Sequence, residues 1–111
     1  MRSGTTTLPA KQAFRLATID GARALGLDDR IGKIAPNYEA DLAIVRLDGP
    51  HIEPGGDVHS RLVYAATARD VIHVFVRGEE VVRHGEHLRL DTERVLARAR
   101  EEAKLLAARA L

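Results

Sequence analysis

The chain has 111 residues, room for one ordinary domain and too few for an eightfold α/β barrel, which takes roughly 250. Charged residues make up 30% and apolar residues 45%, a globular balance, and 17 basic against 16 acidic side chains leave a formal charge of +1. That charge offers no broad field to nucleic acid or an anionic membrane, 4% aromatics without Trp gives no base-stacking platform, and the lack of Cys excludes disulfides, thiolate catalysis and Cys-ligated zinc.

Residues 1–8 read as a flexible, polar leader with no secretory pattern, and no apolar run reaches the roughly 20 residues that span a bilayer. A cytoplasmic location follows as the default, and residues 9–111 read as one domain. Thr7 caps a first helix from about Pro9 to Ala17, since Ala10, Ala13, Phe14 and Ala17 recur at helical spacing. Thr18-Ile19-Asp20 caps a second short helix through Leu25, and Gly26 ends it. Asp28-Asp29 and Gly32 mark a turn. Ile31 and Ile34 then predict a short strand, and Pro36-Asn37 a turn.

Asp41 to Leu47 is nearly all apolar, the pattern of a strand buried on both faces. His51 to Asp57, with Pro54-Gly55-Gly56, predicts a loop. Val58 to Ala66 predicts a helix with Val58, Leu62 and Ala65 or Ala66 on one side. Val71 to Arg77, a turn at Gly78-Glu79 and a return over Glu80 to Arg83 make the clearest hairpin in the chain. His84-Gly85-Glu86 predicts another turn, with a brief strand at His87-Leu88. Asp91 or Thr92 caps the last helix, about 19 residues and about 28 Å long. Its stripe of Val95, Ala99, Ala103, Leu106 and Ala110 suits either a partner helix or its own sheet.

The chemistry-bearing residues give no assembled site. His51, His59, His73, His84 and His87 contain no His-x-His pair, and His84-x-x-His87 straddles Gly85, whereas a metal clamp needs imidazoles fixed on one face. His73, alternating with Ile72 and Val74, faces outward or satisfies a backbone group. Ser60 follows His59 directly, and sequence neighbours on a helix do not face each other. Asp28-Asp29, Glu79-Glu80 and Glu101-Glu102 read as solvated charge, because acid/base work needs carboxyls converging on a pocket. Gly55-Gly56 has no Lys-Ser or Lys-Thr after it and is a loop, not a phosphate cradle. No catalytic, cofactor-binding or metal residue is assigned.

Three stretches together are more specific: Leu16 to Leu27 with Ala17-Thr18 and Gly21-Ala22, Ile31 to Val45 with Ile31-Gly32-Lys33-Ile34-Ala35-Pro36 and Ala40-Asp41-Leu42, and Val71 to Gly85. This succession resembles the C-terminal region of the amidohydrolase superfamily, in the branch of cytosine and guanine deaminases, S-adenosylhomocysteine and methylthioadenosine deaminases and triazine chlorohydrolases. The resemblance covers the chain from about Pro9 onward. Asn37 departs from the family's usual Gly, and Asn is the next best residue at positive φ. Arg77 stands where the family's hairpin turn has Asp or Asn. Small Gly21 and Ala22 allow close helix approach, and Asp41 is expected to tether the amides of the loop before it.

The resemblance implies an α+β fold: barrel-terminal helices, then a small, mostly antiparallel composite sheet forming part of a sandwich, then the long helix. It implies a hydrolase of carbon–nitrogen bonds other than peptide bonds, or a related dechlorinase, with zinc or iron in the full-length family and none in this chain. The family's metal ligands, a His-x-His pair, two later histidines and an Asp, lie upstream of the matched region, so the isolated chain is expected to be inactive. Its sheet, lacking strands that the family draws from the other chain end, is expected to seek a second copy or an amidohydrolase barrel chain. Nucleic acid and membrane are not expected partners. A free-standing assembly module is the alternative, and a small enzyme using His73, His84 or His87 is the third reading.

Overall fold

A computed structural model describes residues 8–110. The expected cap at Thr7, and all but Leu8 of the expected leader, lie outside the described residues. The chain runs α1 (Ala10–Leu16), α2 (Ile19–Ala24), β1 (Leu42–Val45), α3 (Val58–Ser60), β2 (Val71–Val76), β3 (Glu79–Arg83), β4 (Glu86–His87) and α4 (Thr92–Ala110). The four strands form one antiparallel sheet in the order β1-β2-β3-β4. This is the expected α+β arrangement. No described helix is long and apolar enough to cross a membrane.

Pro9 opens α1, where its missing N–H costs nothing. Thr18 flanks α2 without capping it; its hydroxyl donates back to the Phe14 carbonyl at 2.8 Å and ties the two helices together. The end of α2 is a paired cap: Leu27 N–H donates to Ala22 O at 2.9 Å and Gly26 N–H to Arg23 O at 3.0 Å, with Gly26 at φ +71. Ala22, 3% exposed, is covered by the next turn, because Gly32 comes so close that a Cβ there would lie 2.8 Å from the Ala22 Cβ.

That approach explains one correction. The strand expected at Ile31–Ile34 is absent: Gly32, at φ +100, turns the backbone against α2, and Ile34 points out, 86% exposed. The segment is held instead by Tyr38, whose hydroxyl donates to Asp28 O at 2.7 Å, and by Glu39 N–H donating to Arg30 O at 2.8 Å. The Pro36-Asn37 turn forms as expected. Tyr38 N–H donates to Ala35 O, and Asn37 takes φ +68.

β1 is shorter than Asp41–Leu47 and is not buried on both faces. It lies at the sheet edge, and its middle residues Ala43 and Ile44 are exposed. The helix expected over Val58–Ala66 is only partly α-helical. After Ser60 it widens into a π-turn over Arg61–Ala65, closed by Ala66 N–H on Arg61 O, and Val58 is exposed. Both hairpins form, each one residue earlier than expected: the first turn is Arg77-Gly78 rather than Gly78-Glu79, and the last strand is Glu86–His87 rather than His87-Leu88, because Arg77-Gly78 and His84-Gly85 take the positive φ that a tight turn matching strand twist requires. Asp41 acts across the sheet rather than on the loop before it: its carboxylate accepts from the Arg77 N–H at 2.8 Å, and Gly78 N–H donates to Ala40 O at 3.0 Å.

Asp91 caps α4 by accepting from the Arg94 N–H at 3.1 Å. The helix does not lie on its own sheet; all its described residues are exposed. Among the described residues only Ala22 and Ile52 are buried apolar side chains. The accessible surface is 9154 Å² for 12.2 kDa, where a compact chain of that mass exposes about 6,100 Å². The radius of gyration is 18.6 Å against about 13 Å for a compact domain of this length.

Candidate functional site

Two histidine–carboxylate clusters carry the polar organisation of the molecule. The first joins three segments at one end of the sheet. Ile52, 2% exposed, anchors the loop after β1 in the interior and brings His51 over the one-turn helix Ala68–Asp70. The His51 Nε2 then lies 2.9 and 2.8 Å from the two carboxylate oxygens of Asp70. Asp70 is 6% exposed, and its carboxylate also accepts from the Thr67 N–H at 2.7 Å and the Thr67 hydroxyl at 3.3 Å. Its backbone carbonyl takes the Arg46 N–H at 2.7 Å. The His51 hydrogen bond, then the Thr67 amide, hold the Asp70 carboxyl below the usual carboxylate range.

Gly49 makes this contact possible. A Cβ at position 49 would lie 2.6 Å from His51 Cε1, so only glycine lets the imidazole lie down onto Asp70. The result resembles two members of a hydrolytic triad without a nucleophile. Thr67 spends its hydroxyl on Asp70, and Ser60 turns instead to Asp57, whose carboxylate accepts the Ser60 N–H at 2.9 Å. That amide bond lowers the Asp57 carboxyl. The dyad is a tie between loop, turn and strand, with no reacting atom in reach.

The second cluster sits on the β2–β3 hairpin. Val74 faces Val82 while Phe75 faces Glu80, leaving Val81 as the extra residue of a bulge. The bulge turns Glu80 to the same side as His73 and Arg83. Arg83 donates to Glu80 Oε2 from two nitrogens, at 3.0 and 2.7 Å, and His73 Nδ1 lies 3.2 Å from Glu80 Oε1. Arg83, then His73, lower the Glu80 carboxyl, and Glu80 raises the Arg83 guanidinium in return. His84 meets His73 edge-on, ring centres 4.8 Å apart.

This corrects two expectations. His73 satisfies a carboxylate rather than solvent or a backbone group, and Glu79-Glu80 is not merely solvated, since Glu79 pairs with Arg89 and Glu80 with Arg83 and His73. The other histidines remain apart: His59 stacks edge-on against Phe14 at 5.3 Å, and His87 stands opposite Val82. Among the described residues no three His, Asp or Glu side chains converge to hold a metal ion. With His51 committed to Asp70 and His73 to Glu80, the donor set does not fit a hydrolytic zinc centre.

Sequence reasoning missed both clusters. His51 and Asp70 lie 19 positions apart with no motif between them, and the bulge that swings Glu80 over leaves no compositional mark. The one available hint was Thr67 three residues before Asp70, the spacing of a capping box.

Helix-turn-helix entry, tethered edge strand and double hairpin together belong to one class. Residues 1–81 match the Amidohydrolase family, and the chain belongs to that family. It is similar to the 5-methylthioadenosine/S-adenosylhomocysteine deaminase of Desulfitobacterium hafniense, 40% identical over 104 residues, which are 94% of this chain and 24% of that protein. The deaminase of the same description from Halobacterium salinarum is 45% identical over 103 residues, 93% of this chain and 23% of that one. A solved adenosine deaminase from Xanthomonas campestris with bound zinc superposes with a TM-score of 0.85 at 36% identity, over 92% of this chain and 23% of its own. Atrazine chlorohydrolase from Arthrobacter aurescens, complexed with zinc, gives 0.74 at 30% identity, over 82% of this chain and 20% of its own. The chain therefore spans about a quarter of the length of the relatives it matches and is a partial amidohydrolase.

Proposed function

We propose that this chain is the C-terminal, non-catalytic portion of a zinc-dependent aminohydrolase acting on a carbon–nitrogen bond other than a peptide bond, of the methylthioadenosine/S-adenosylhomocysteine deaminase type. One observation carries the reading: 40% identity runs through 94% of this chain but spans only 24% of the relative. Its part is to buttress. The Asp41 tether and the Asp70 knot fix the sheet, and the sheet's bare edge and faces offer a surface to the barrel that carries the chemistry. A dechlorinating activity is the runner-up within the same family, supported by the likeness to the chlorohydrolase.

The test is complementation. The purified chain with added zinc is expected to deaminate neither methylthioadenosine nor S-adenosylhomocysteine. A relative's barrel portion, stripped of its own equivalent region, is expected to gain activity when this chain is supplied. Turnover by the chain alone would overturn the reading. A second reading, a free-standing module assembling through its sheet, draws support from the exposed Ile44 and Val76 on that sheet. It predicts that the chain binds itself through β1 and gives no activity to any barrel.

A further inference from the structure

Asp-Gly occurs twice in the chain, at Asp20-Gly21 and at Asp48-Gly49. This dipeptide is chemically the weakest kind of aspartyl bond, because no Cβ shields the glycine nitrogen from the carboxyl carbon before it and the backbone turns freely. The fold sets the two copies in opposite surroundings. Asp20-Gly21 lies inside α2. Ring closure requires the Asp backbone to rotate until its Cγ stands over the next nitrogen, and a helical ψ of about −42° keeps the two apart. The Asp20 carboxylate is also 29% exposed and held by Arg15 at 3.7 Å and Arg23 at 3.3 Å.

Asp48-Gly49 lies in the irregular loop after β1. Its carboxylate is 77% exposed and is paired with Arg46 at 3.4 Å, an exposed contact of little strength that salt screens. No helix or ladder holds the bond against rotation. We infer that Asp48-Gly49 is a site of spontaneous isoaspartate formation, and that the modification releases the knot at Asp70. The inference concerns the chain's own chemistry and does not rest on the proposed function.

The step is balanced by water alone. The Gly49 nitrogen bonds to Cγ of the Asp48 carboxyl group, and its proton departs with the carboxyl hydroxyl as one water, closing a five-membered imide. One water then opens the ring. Addition at Cγ restores aspartate. Addition at the α-carbonyl breaks its bond to the Gly49 nitrogen, frees the α-carboxylate and leaves the chain running through Cβ, one atom longer. That extra atom falls at the foot of the knot. Gly49 O accepts from the Ile52 and Glu53 amides, each at 2.9 Å. His51 packs so closely over Gly49 that a Cβ there would lie 2.9 Å from its Nδ1. A longer link before Gly49 displaces both contacts and carries His51 off the Asp70 carboxylate, which it meets at 2.8 Å.

The second Asp-Gly makes an internal control. The purified, folded chain is kept warm at neutral pH in oxygen-18 water and then digested with trypsin in ordinary water. Asp48 falls in peptide 47–61 and Asp20 in peptide 16–23. Each passage through the imide leaves one heavy oxygen, whichever way the ring opens. Peptide 47–61 is expected to label at least about tenfold faster than peptide 16–23, with an isoaspartyl form of equal mass growing in beside it. In denaturant, where α2 is gone, the two rates are expected to agree within about threefold. Asp48→Glu, which would have to close a slower six-membered ring, is expected to lose the label while the knot stays intact. In the separated isoaspartyl chain, the Ile52 and Thr67 amides are expected to exchange hydrogen at least about fivefold faster than in the unmodified chain. Equal labelling of the two peptides in the folded chain, no label in peptide 47–61, or unchanged exchange in the isoaspartyl chain would overturn the proposal.

Discussion

Around Asp70, the Arg46 amide just past β1, the His51 imidazole of the following loop and the Thr67 turn satisfy one side chain and its carbonyl over a few ångströms, with Ile52 buried next to His51 in the chain. Along α4, nineteen residues are well formed as a helix and exposed throughout. The two regions were shaped by different demands. The knot is complete within the chain, because hydrogen bonds and tight turns need only near neighbours. The helix and the sheet faces are complete only against other protein, because apolar surface is stabilised by burial, and the described residues supply only two buried apolar side chains.

Substitutions that break this contrast should be felt at the knot and hardly at the helix. Ile52→Ala should cost the most, about 2–4 kcal/mol in denaturant unfolding, since it empties one of the two sealed apolar positions. Gly32→Val follows at about 2–3 kcal/mol, its side chain colliding with Ala22 at a backbone φ of +100. Acid comes next. Asp70 and Glu80 titrate lower in the folded chain than their ordinary values of 3.8 and 4.5, so their contribution is present above those values and is lost as pH falls through the folded ones. The melting midpoint should drop on acidification below pH about 4, and Asp70→Asn should make that drop shallower while lowering the midpoint at neutral pH. Asp41→Ala should cost about 1 kcal/mol, the worth of its bond to the Arg77 amide. Leu106→Lys in dilute, monomeric chain should change stability by no more than about 0.5 kcal/mol.

What was legible in the sequence was local. The hairpin around Gly78, the Pro36-Asn37 turn, the Gly26 cap and the Asp91 cap each depend on residues within one turn of one another, and each formed, the hairpin turn one residue earlier than read. The family resemblance came from strings of the same kind. What failed was the reading of neighbours in space. Ile31 and Ile34 look like strand residues until Gly32 is pressed against Ala22, and Asp41 to Leu47 looks like an inner strand until nothing covers its faces. His51 and Asp70 meet only because Ile52 sinks and Gly49 lacks a side chain. Long-range contact of this kind is a property of the folded whole, and single-residue patterns do not encode it.

The most direct measurement is small-angle scattering on the pure, dilute chain, read together with its unfolding transition. An incomplete piece awaiting other protein should give a radius of gyration near or above 18.6 Å and a shallow transition. A value near the 13 Å or so of a compact domain, with one sharp transition, would mean that the chain closes its own core and would contradict the account.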